Sequence, residues 1–536
     1  MRPLAALIVL AAVLGLAPSA ALADAGTAAA KPVPASVCPD PDLSVAGKRP
    51  GDLLAPPQDV TAQSGLAAGV GRLYRVAYAT TGQAGSVTAS CGLVALPTGA
   101  TSVRGVIAWS HGTIGLMEKC QPSQDPAGFV GPMPGGIGSP TKKGPQSDGA
   151  LYGMLQDGYA VVATDYPSAG VLDDALQSYV LGVLAGVAAI DSARTLTGNP
   201  AAFGLSPIAA DAGLPLLTWG HSQGGHTALW AGQLARPYLA ARGDRTLNLV
   251  GVAAEAPASQ FTTSPGQPAE YMGRHLGDRD MYNMAPGLGV PFPIGVALFS
   301  FVTVSWSQLT NATAGEFPVG PTPSVDYRAV LSADGAATAP DIARCCLKGA
   351  GILEIAGKAG GYLDPYRKRL FAPPFAGRTE GGLWKGGIDA TCAALEAQPA
   401  AFAEWCRWLQ FNMPGPNGVN PYPKLPRDNA GVTVPLYIAQ GRDDRIIWCV
   451  DGAGPVQGPN CLTAQYAQSI RGDYCDGVDY LEIDYFPGVG HLAVPGAAAT
   501  NQTGGGYAGS PLDRFVQGAM AGSLGPRCSV DADATT

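Results

Sequence analysis

The sequence predicts an α/β protein built on a mostly parallel central sheet, flanked by helices and interrupted by a large insertion. Three observations predict it. Short apolar strands alternate with helical segments through the first half of the chain, the rhythm of βαβ units, which lay successive strands parallel. The rhythm stops near Pro257, where a stretch rich in glycine, proline and aromatic residues begins, and it resumes after Asn429. Gly220-His221-Ser222-Gln223-Gly224 joins one strand directly to a helix, the sharp connection that presents a serine hydroxyl at the end of a strand.

Composition bounds the rest. The 536 residues are 46% hydrophobic, enough for a sizeable core. Charged residues are only 14%, against about a quarter in a typical soluble protein. The length fits about two to four domains, or one large domain carrying an insertion. A net charge of −8 argues against nucleic acid as the main partner. Neither a coiled coil nor a repeat of about 20–50 residues is visible.

Residues 1–23 form a secretory signal peptide. Arg2 supplies the positive start, Leu4 to Leu16 the apolar run, and Ala21-Leu22-Ala23 the small-residue cleavage site before Asp24. The run is too short to cross about 30 Å of hydrocarbon. An extracellular or periplasmic protein is therefore expected, with a first core segment at 24–256, an inserted cap or lid at 257–430 and a second core segment at 431–536. In an oxidising compartment most of the 11 cysteines should pair, and the odd count leaves one thiol free or bonded between chains. No C-x-x-C is present and no histidine lies at short ligand spacing from a cysteine, so a structural zinc site is not expected; with neither H-E-x-x-H, a Walker loop nor a dinucleotide fingerprint in a fitting context, no metal or organic cofactor is implied. Asn311-Ala312-Thr313 and Asn501-Gln502-Thr503 are glycosylation acceptors only in a eukaryotic host.

The elements follow in order. Leu73–Thr81 and Ser86–Leu96 are strands rich in Val, Tyr and Thr. Gly105–Trp109 is a short buried strand leading into Ser110-His111-Gly112-Thr113. Ser147–Gln156 is helical and stops at Gly158; Tyr159–Thr164 is the next strand. Asp173–Leu196 is a long apolar helix with Asp173 as its cap. Leu214–Trp219 is the strand entering the Ser222 turn, Gly225–Ala240 the helix leaving it, and Leu247–Ala253 another buried strand. Within the insertion, Val290–Trp306 is strongly apolar but interrupted by Pro291, Pro293 and Gly295. It is a core segment of the insertion or, on a sharper reading, the lining of an acyl pocket. Val434–Ala439 and Tyr480–Phe486 are strands, and Leu462–Ile470 and Arg514–Met520 helices.

The chemistry starts at Ser222. A G-x-S-x-G alone is weak in a chain with 73 glycines; the strand before it and the helix after it give it meaning. Small residues serve a tight turn, and the helix N-terminus favours developing negative charge. A serine hydroxyl needs a base, and only five histidines exist. His221 adjoins Ser222 and points away from it; His226 sits one helical turn on, where packing is the expected role; His111 precedes a turn; His275 lies in the insertion. His491, on a glycine-bearing loop after the last long strand, is the base. Its orienting acid comes from Asp443-Asp444 after the strand at 434–439, with Asp444 chosen and Asp443 left as a surface or salt-bridge residue. Serine, acid and histidine then follow the α/β-hydrolase order. The oxyanion donors are the N–H of Gln223 and that of Thr113, with the Thr113 hydroxyl as a further candidate.

At these residues the chain resembles the secretory lipase family. Ser110-His111-Gly112-Thr113 followed by Cys120-Gln121-Pro122-Ser123, the strand Gly158 to Asp165, the elbow Gly220 to Trp230, and the loops Gly441-Arg442-Asp443-Asp444 and Gly490-His491-Leu492 carry the resemblance. It implies an α/β-hydrolase with an inserted cap, acting on carboxylic esters and often on lipid esters. It also implies a Cys475–Cys528 disulfide and pairing of Cys120 with Cys345 or Cys346. The expectation is a secreted serine ester hydrolase of the lipase or esterase kind, with a small-molecule or lipid ester as substrate and transient contact with a lipid interface. An acyltransferase or polyester depolymerase with the same triad, and a non-catalytic binding protein on the same scaffold, are the alternatives.

Overall fold

A computed structural model describes residues 43–67, 69–131, 149–168, 176–261, 294–348, 350–359, 392, 399–415, 419–422, 425, 433–444, 446–447, 449–450, 461–475, 477, 479–501 and 506–530. The expected signal peptide, the Asp173 cap, His275 and the two prolines at 291 and 293 lie outside these residues.

The described strands are β1 (Gln58–Asp59), β2 (Gly71–Thr81), β3 (Val87–Pro97), β4 (Val106–Ser110), β5 (Ala160–Thr164), β6 (Leu214–His221), β7 (Leu247–Glu255), β8 (Leu436–Gly441), β9 (Asp443–Asp444), β10 (Cys449–Val450), β11 (Tyr480–Phe486) and β12 (Arg527–Ser529). All but β9 and β10 join one sheet in the order β1-β2-β3-β5-β4-β6-β7-β8-β11-β12. The β1-β2-β3-β5 edge pairs antiparallel; from β5 to β12 every neighbour is parallel. β4 is followed by a strand on one side of it and then by one on the other, so the order reverses between β4 and β6. The crevice at the carboxyl ends of strands flanking such a switch point is where open α/β sheets hold ligands.

The described helices used below are α1 (Ala150–Gln156), α2 (Gly182–Gly198), α3 (Gln223–Ala241), α4 (Ile294–Trp306), α5 (Ala333–Ala343), α6 (Ala350–Ala359), α7 (Ala400–Phe411), α8 (Leu462–Tyr474), α9 (Val494–Ala498) and α10 (Pro511–Met520). Every residue of β4 and β5 is buried, as strands covered on both faces require. Alternate side chains go to opposite faces. Val106, Ala108, Leu216 and Ile438 pack with α2 and α3, whereas Ile107, Trp109, Leu217 and Trp219 pack with α1 and α10.

One helix starts later than the sequence suggests. The expected helix at 173–196 begins at Gly182, because residues 176–181 spend their backbone on tertiary bonds. Gln177 N–H donates to Leu116 O (3.1 Å), Ser178 N–H to Pro167 O (2.9 Å) and Tyr179 N–H to Ser305 Oγ (3.0 Å). Gly182 then lets the helix lie against Trp230, whose ring a methyl group on Gly182 would meet at 2.0 Å.

No strand of the large sheet falls between Glu255 and Leu436 among the described residues. The longer described elements of that span are helices, and Phe299, Phe301, Trp306, Trp405 and Trp408 join the same apolar core as α2 and α3. Trp306 stacks on Trp405 with centroids 5.8 Å apart. The apolar stretch ending at Trp306 is thus core-forming from Ala297 onward.

Disulfides join Cys120–Cys346, Cys392–Cys406, Cys449–Cys461 and Cys475–Cys528. Cys91 is also disulfide-bonded, and Cys345 is a buried free thiol. Cys346 is selected over Cys345 because it pairs as an isolated bridge with Gly115, and Leu347 N–H donates to Ile114 O (2.8 Å). This staple fastens the loop after β4 to the span between β7 and β8.

Candidate active site

The elbow between β6 and α3 is built by strain and close contact. Ser222 has φ 60° and ψ −117°, a conformation costing of order 1–3 kcal/mol for a residue with a side chain. Its neighbours hold it there. Ser222 N–H donates to Glu255 O (2.8 Å), and Ser222 O accepts from His226 N–H (3.0 Å) and Ala258 N–H (3.2 Å). A methyl group on Gly224 would sit 1.8 Å from Ser110 O, so α3 can approach β4 only with glycine at this position. Gly224→Ala is expected to lower the unfolding free energy by about 3 kcal/mol or more, read as a drop in the urea midpoint.

Three predicted side chains meet at the carboxyl end of the sheet. His491 Nε2 lies 2.9 Å from Ser222 Oγ, and His491 Nδ1 lies 2.8 Å from Asp444 Oδ2. Asp444 is fully buried, whereas its neighbour Asp443 is exposed. The hairpin of β9 and β10 turns Asp444 inward. There its Oδ1 accepts from Ile446 N–H (2.8 Å) and Ile447 N–H (2.9 Å), and its Oδ2 also accepts from Gln440 Nε2 (3.0 Å). Gln440 is itself held by Thr463 Oγ1, which donates to its Oε1 at 2.6 Å.

The other predicted residues flank this line. Gln223 is the first residue of α3, so its N–H has no acceptor within the helix. The loop after β4 runs past the serine: a methyl on Gly112 would lie 3.6 Å from Ser222 Cβ, and Thr113 follows. The Thr113 hydroxyl is 2.8 Å from the Tyr179 hydroxyl. Burial holds the Tyr179 phenol far above its ordinary range, so it stays protonated and able to donate.

The remaining described histidines are neutral at pH 7. Burial depresses His111 and His226 to about 4 each. His226 Nε2 bonds Asn412 O at 2.7 Å, tying the elbow helix to the residue that caps the C-terminus of α7. His221 falls well below its ordinary value, first through burial and then through the neighbouring His491. His221 also bonds the His491 carbonyl, a link that sequence reasoning missed together with Gln440 and Tyr179. Gln440 was legible in principle, since it is the next-to-last residue of β8, four residues before the acid.

Glu255 was missed as well. It ends β7 opposite His221 and is fully buried, with neither carboxyl oxygen in hydrogen-bonding geometry with a described residue. Burial pushes its carboxyl from an ordinary 4.5 to about 8, against a lesser opposing effect of the Trp219 indole. The unfolded chain therefore gives up this proton at lower pH than the folded one, and stability falls as pH rises through that window. Glu255→Gln removes the dependence. Its stability relative to the parent is expected to rise between pH 5 and pH 8 by up to about 4 kcal/mol, measured by urea unfolding at both values.

The sequence matches no protein-family model and no curated protein. Among solved structures, the chain is similar to Candida antarctica lipase A, with a TM-score of 0.51 and 16% identity over 92% of this chain and 86% of that one. It is similar to the same lipase in its closed state, with a TM-score of 0.50 and 17% identity over 90% and 85%. It is also similar to the rice cell wall degrading esterase LipA from Xanthomonas oryzae, at a TM-score of 0.48 and 16% identity over 82% and 92%, a likeness too weak to bear on the fold. The sheet order and the two lipase A structures establish that this chain has the α/β-hydrolase fold.

Proposed function

We propose that the protein is a secreted serine carboxylic-ester hydrolase, of the lipase or esterase kind, working through an acyl-enzyme on Ser222. The observation that carries this reading is the unbroken hydrogen-bonded line from Ser222 Oγ through both nitrogens of His491 to the buried Asp444.

Ser222 Oγ attacks the ester carbonyl carbon and passes its proton to His491 Nε2. Asp444 keeps the His491 proton on Nδ1, leaving Nε2 free to accept, and stabilises the imidazolium that forms. The N–H groups of Gln223 and Thr113 hold the tetrahedral oxyanion, each lowering the barrier by about 2.7–4 kcal/mol. With Tyr179 donating to the Thr113 hydroxyl, that hydroxyl can turn its own proton to the oxyanion as well. His491 returns its proton to the departing alcohol, and water releases the acid by the same steps in reverse.

The disulfides at Cys120–Cys346, Cys392–Cys406, Cys449–Cys461 and Cys475–Cys528 support export to an oxidising compartment. No described helix is long and apolar enough to cross a membrane. Leu492, beside the base, is 60% exposed, which suits contact with an acyl chain or a lipid surface. Purified protein incubated with a fluorophosphonate probe should be labelled at Ser222, and it should hydrolyse a series of p-nitrophenyl esters. Absence of both would return the binding-protein reading.

A further inference from the structure

His221 is the last residue of β6, directly before the nucleophile, and it touches three parts of the site. Its Nε2 lies 3.0 Å from the backbone carbonyl of His491, so Nε2–H is the donor in this bond. The two imidazole rings lie against each other with centroids 4.7 Å apart and an interplanar angle of 42°. On its other side, a methyl on Gly112 would meet His221 Nδ1 at 3.4 Å, so the loop that leads to Thr113 packs on the same ring. One side chain thus spans the nucleophile strand, the base loop and the loop after β4.

The tie acts on the backbone of the base itself. His491 begins a short 3-10 turn after β11; its ring is held by Ser222 and Asp444 and its loop by Asp443 N–H donating to Val489 O (3.0 Å), and the His221 bond adds a restraint on the His491 carbonyl. A displacement of about 1 Å between reacting groups costs on the order of 100-fold in rate. The tie is also electrically silent: His221 stays uncharged because it is buried and because a second cation beside His491 is disfavoured.

We infer that His221 is a positioning residue, whose Nε2–H holds the His491 backbone at a set distance from Ser222 and braces the loop carrying Thr113. This rests on the serine-hydrolase reading above and adds to it a residue that touches no reacting atom.

Side-chain amides separate the donor from mere bulk. Glutamine can place an N–H near the position of Nε2, and asparagine only near that of Nδ1. Three variants, His221→Gln, His221→Asn and His221→Phe, would be compared for kcat, KM and melting temperature on a soluble p-nitrophenyl ester, with fluorophosphonate labelling rates alongside. His221→Gln is expected within about fivefold of the parent in kcat, whereas the Asn and Phe variants lose roughly 10- to 100-fold, with KM within about threefold. Labelling rates should fall in parallel. Equal kcat for all three variants, or a loss confined to KM, overturns the inference. Should the Phe variant fail to fold, the Gln-against-Asn ratio decides alone. Failure of the parent itself to be labelled would sink the hydrolase reading instead, so the two failures are distinguishable.

Discussion

Ser222→Ala is expected to lower kcat on a soluble ester by roughly a millionfold while KM stays within a few-fold. The size follows from the geometry. Ser222 Oγ is the only atom of the line that can form the covalent bond, and without it His491 has no hydroxyl to activate. What remains is activation of water beside the Gln223 and Thr113 donors, which is expected to retain roughly 10³–10⁴-fold acceleration over the uncatalysed reaction. His491→Ala should cost about as much, and the double variant scarcely more, because the two residues act as one unit. The fold should tolerate the change. Alanine replaces serine at the same φ of 60°, and the backbone bonds to Glu255, His226 and Ala258 are untouched. Equal turnover in parent and variant, with the melting temperature unchanged, would place the chemistry elsewhere.

Much of this site was legible because its constraints are local. The G-x-S-x-G turn needs small residues where α3 crosses β4, and Gly220 and Gly224 make those contacts. The histidines could be sorted by their place in the chain: His111, His221 and His226 each bond a backbone carbonyl, and His491 is the one described histidine in hydrogen-bond reach of Ser222 Oγ. The strands of the parallel core were readable since fully buried strands are continuous apolar runs. What escaped was non-local. The start of α2 is set by partners at Leu116, Pro167 and Ser305, far off in the chain, and no propensity at residues 176–181 signals them. The choice of Cys346 over Cys345 depends on a single bridge to Gly115. Asn412, whose carbonyl receives His226 and Trp230 and whose Oδ1 receives Gly182 N–H, ties the end of α7 to the elbow helix and to α2 through bonds that no motif announces.

Asp444→Asn is expected to lower kcat about 10⁴-fold, and Asp443→Asn to leave it within about twofold. The two acids are adjacent, and the difference between them is where they point. Asp443 is exposed on β9. Asp444 is enclosed, with both oxygens committed: Oδ1 to the N–H groups of Ile446 and Ile447, Oδ2 to His491 Nδ1 and Gln440 Nε2. Asparagine has one acceptor oxygen and an NH2 group that can only donate. The two converging backbone N–H groups claim the acceptor, so the amide NH2 falls where Oδ2 was, facing His491 Nδ1. An N–H there stabilises the tautomer with Nδ1 bare and the proton on Nε2. That proton points at Ser222 Oγ, and the ring can no longer take one from it. The same NH2 also confronts the donor of Gln440, so the variant should lose about 1–3 kcal/mol of stability as well. Asp444→Ala offers a check on this account. It leaves His491 free to choose its tautomer, so it should be no worse than Asp444→Asn in kcat despite removing more atoms. If instead Asp443→Asn carried the loss and Asp444→Asn did not, the acid would belong to the outer residue and the hairpin of β9 and β10 would have to turn over during catalysis.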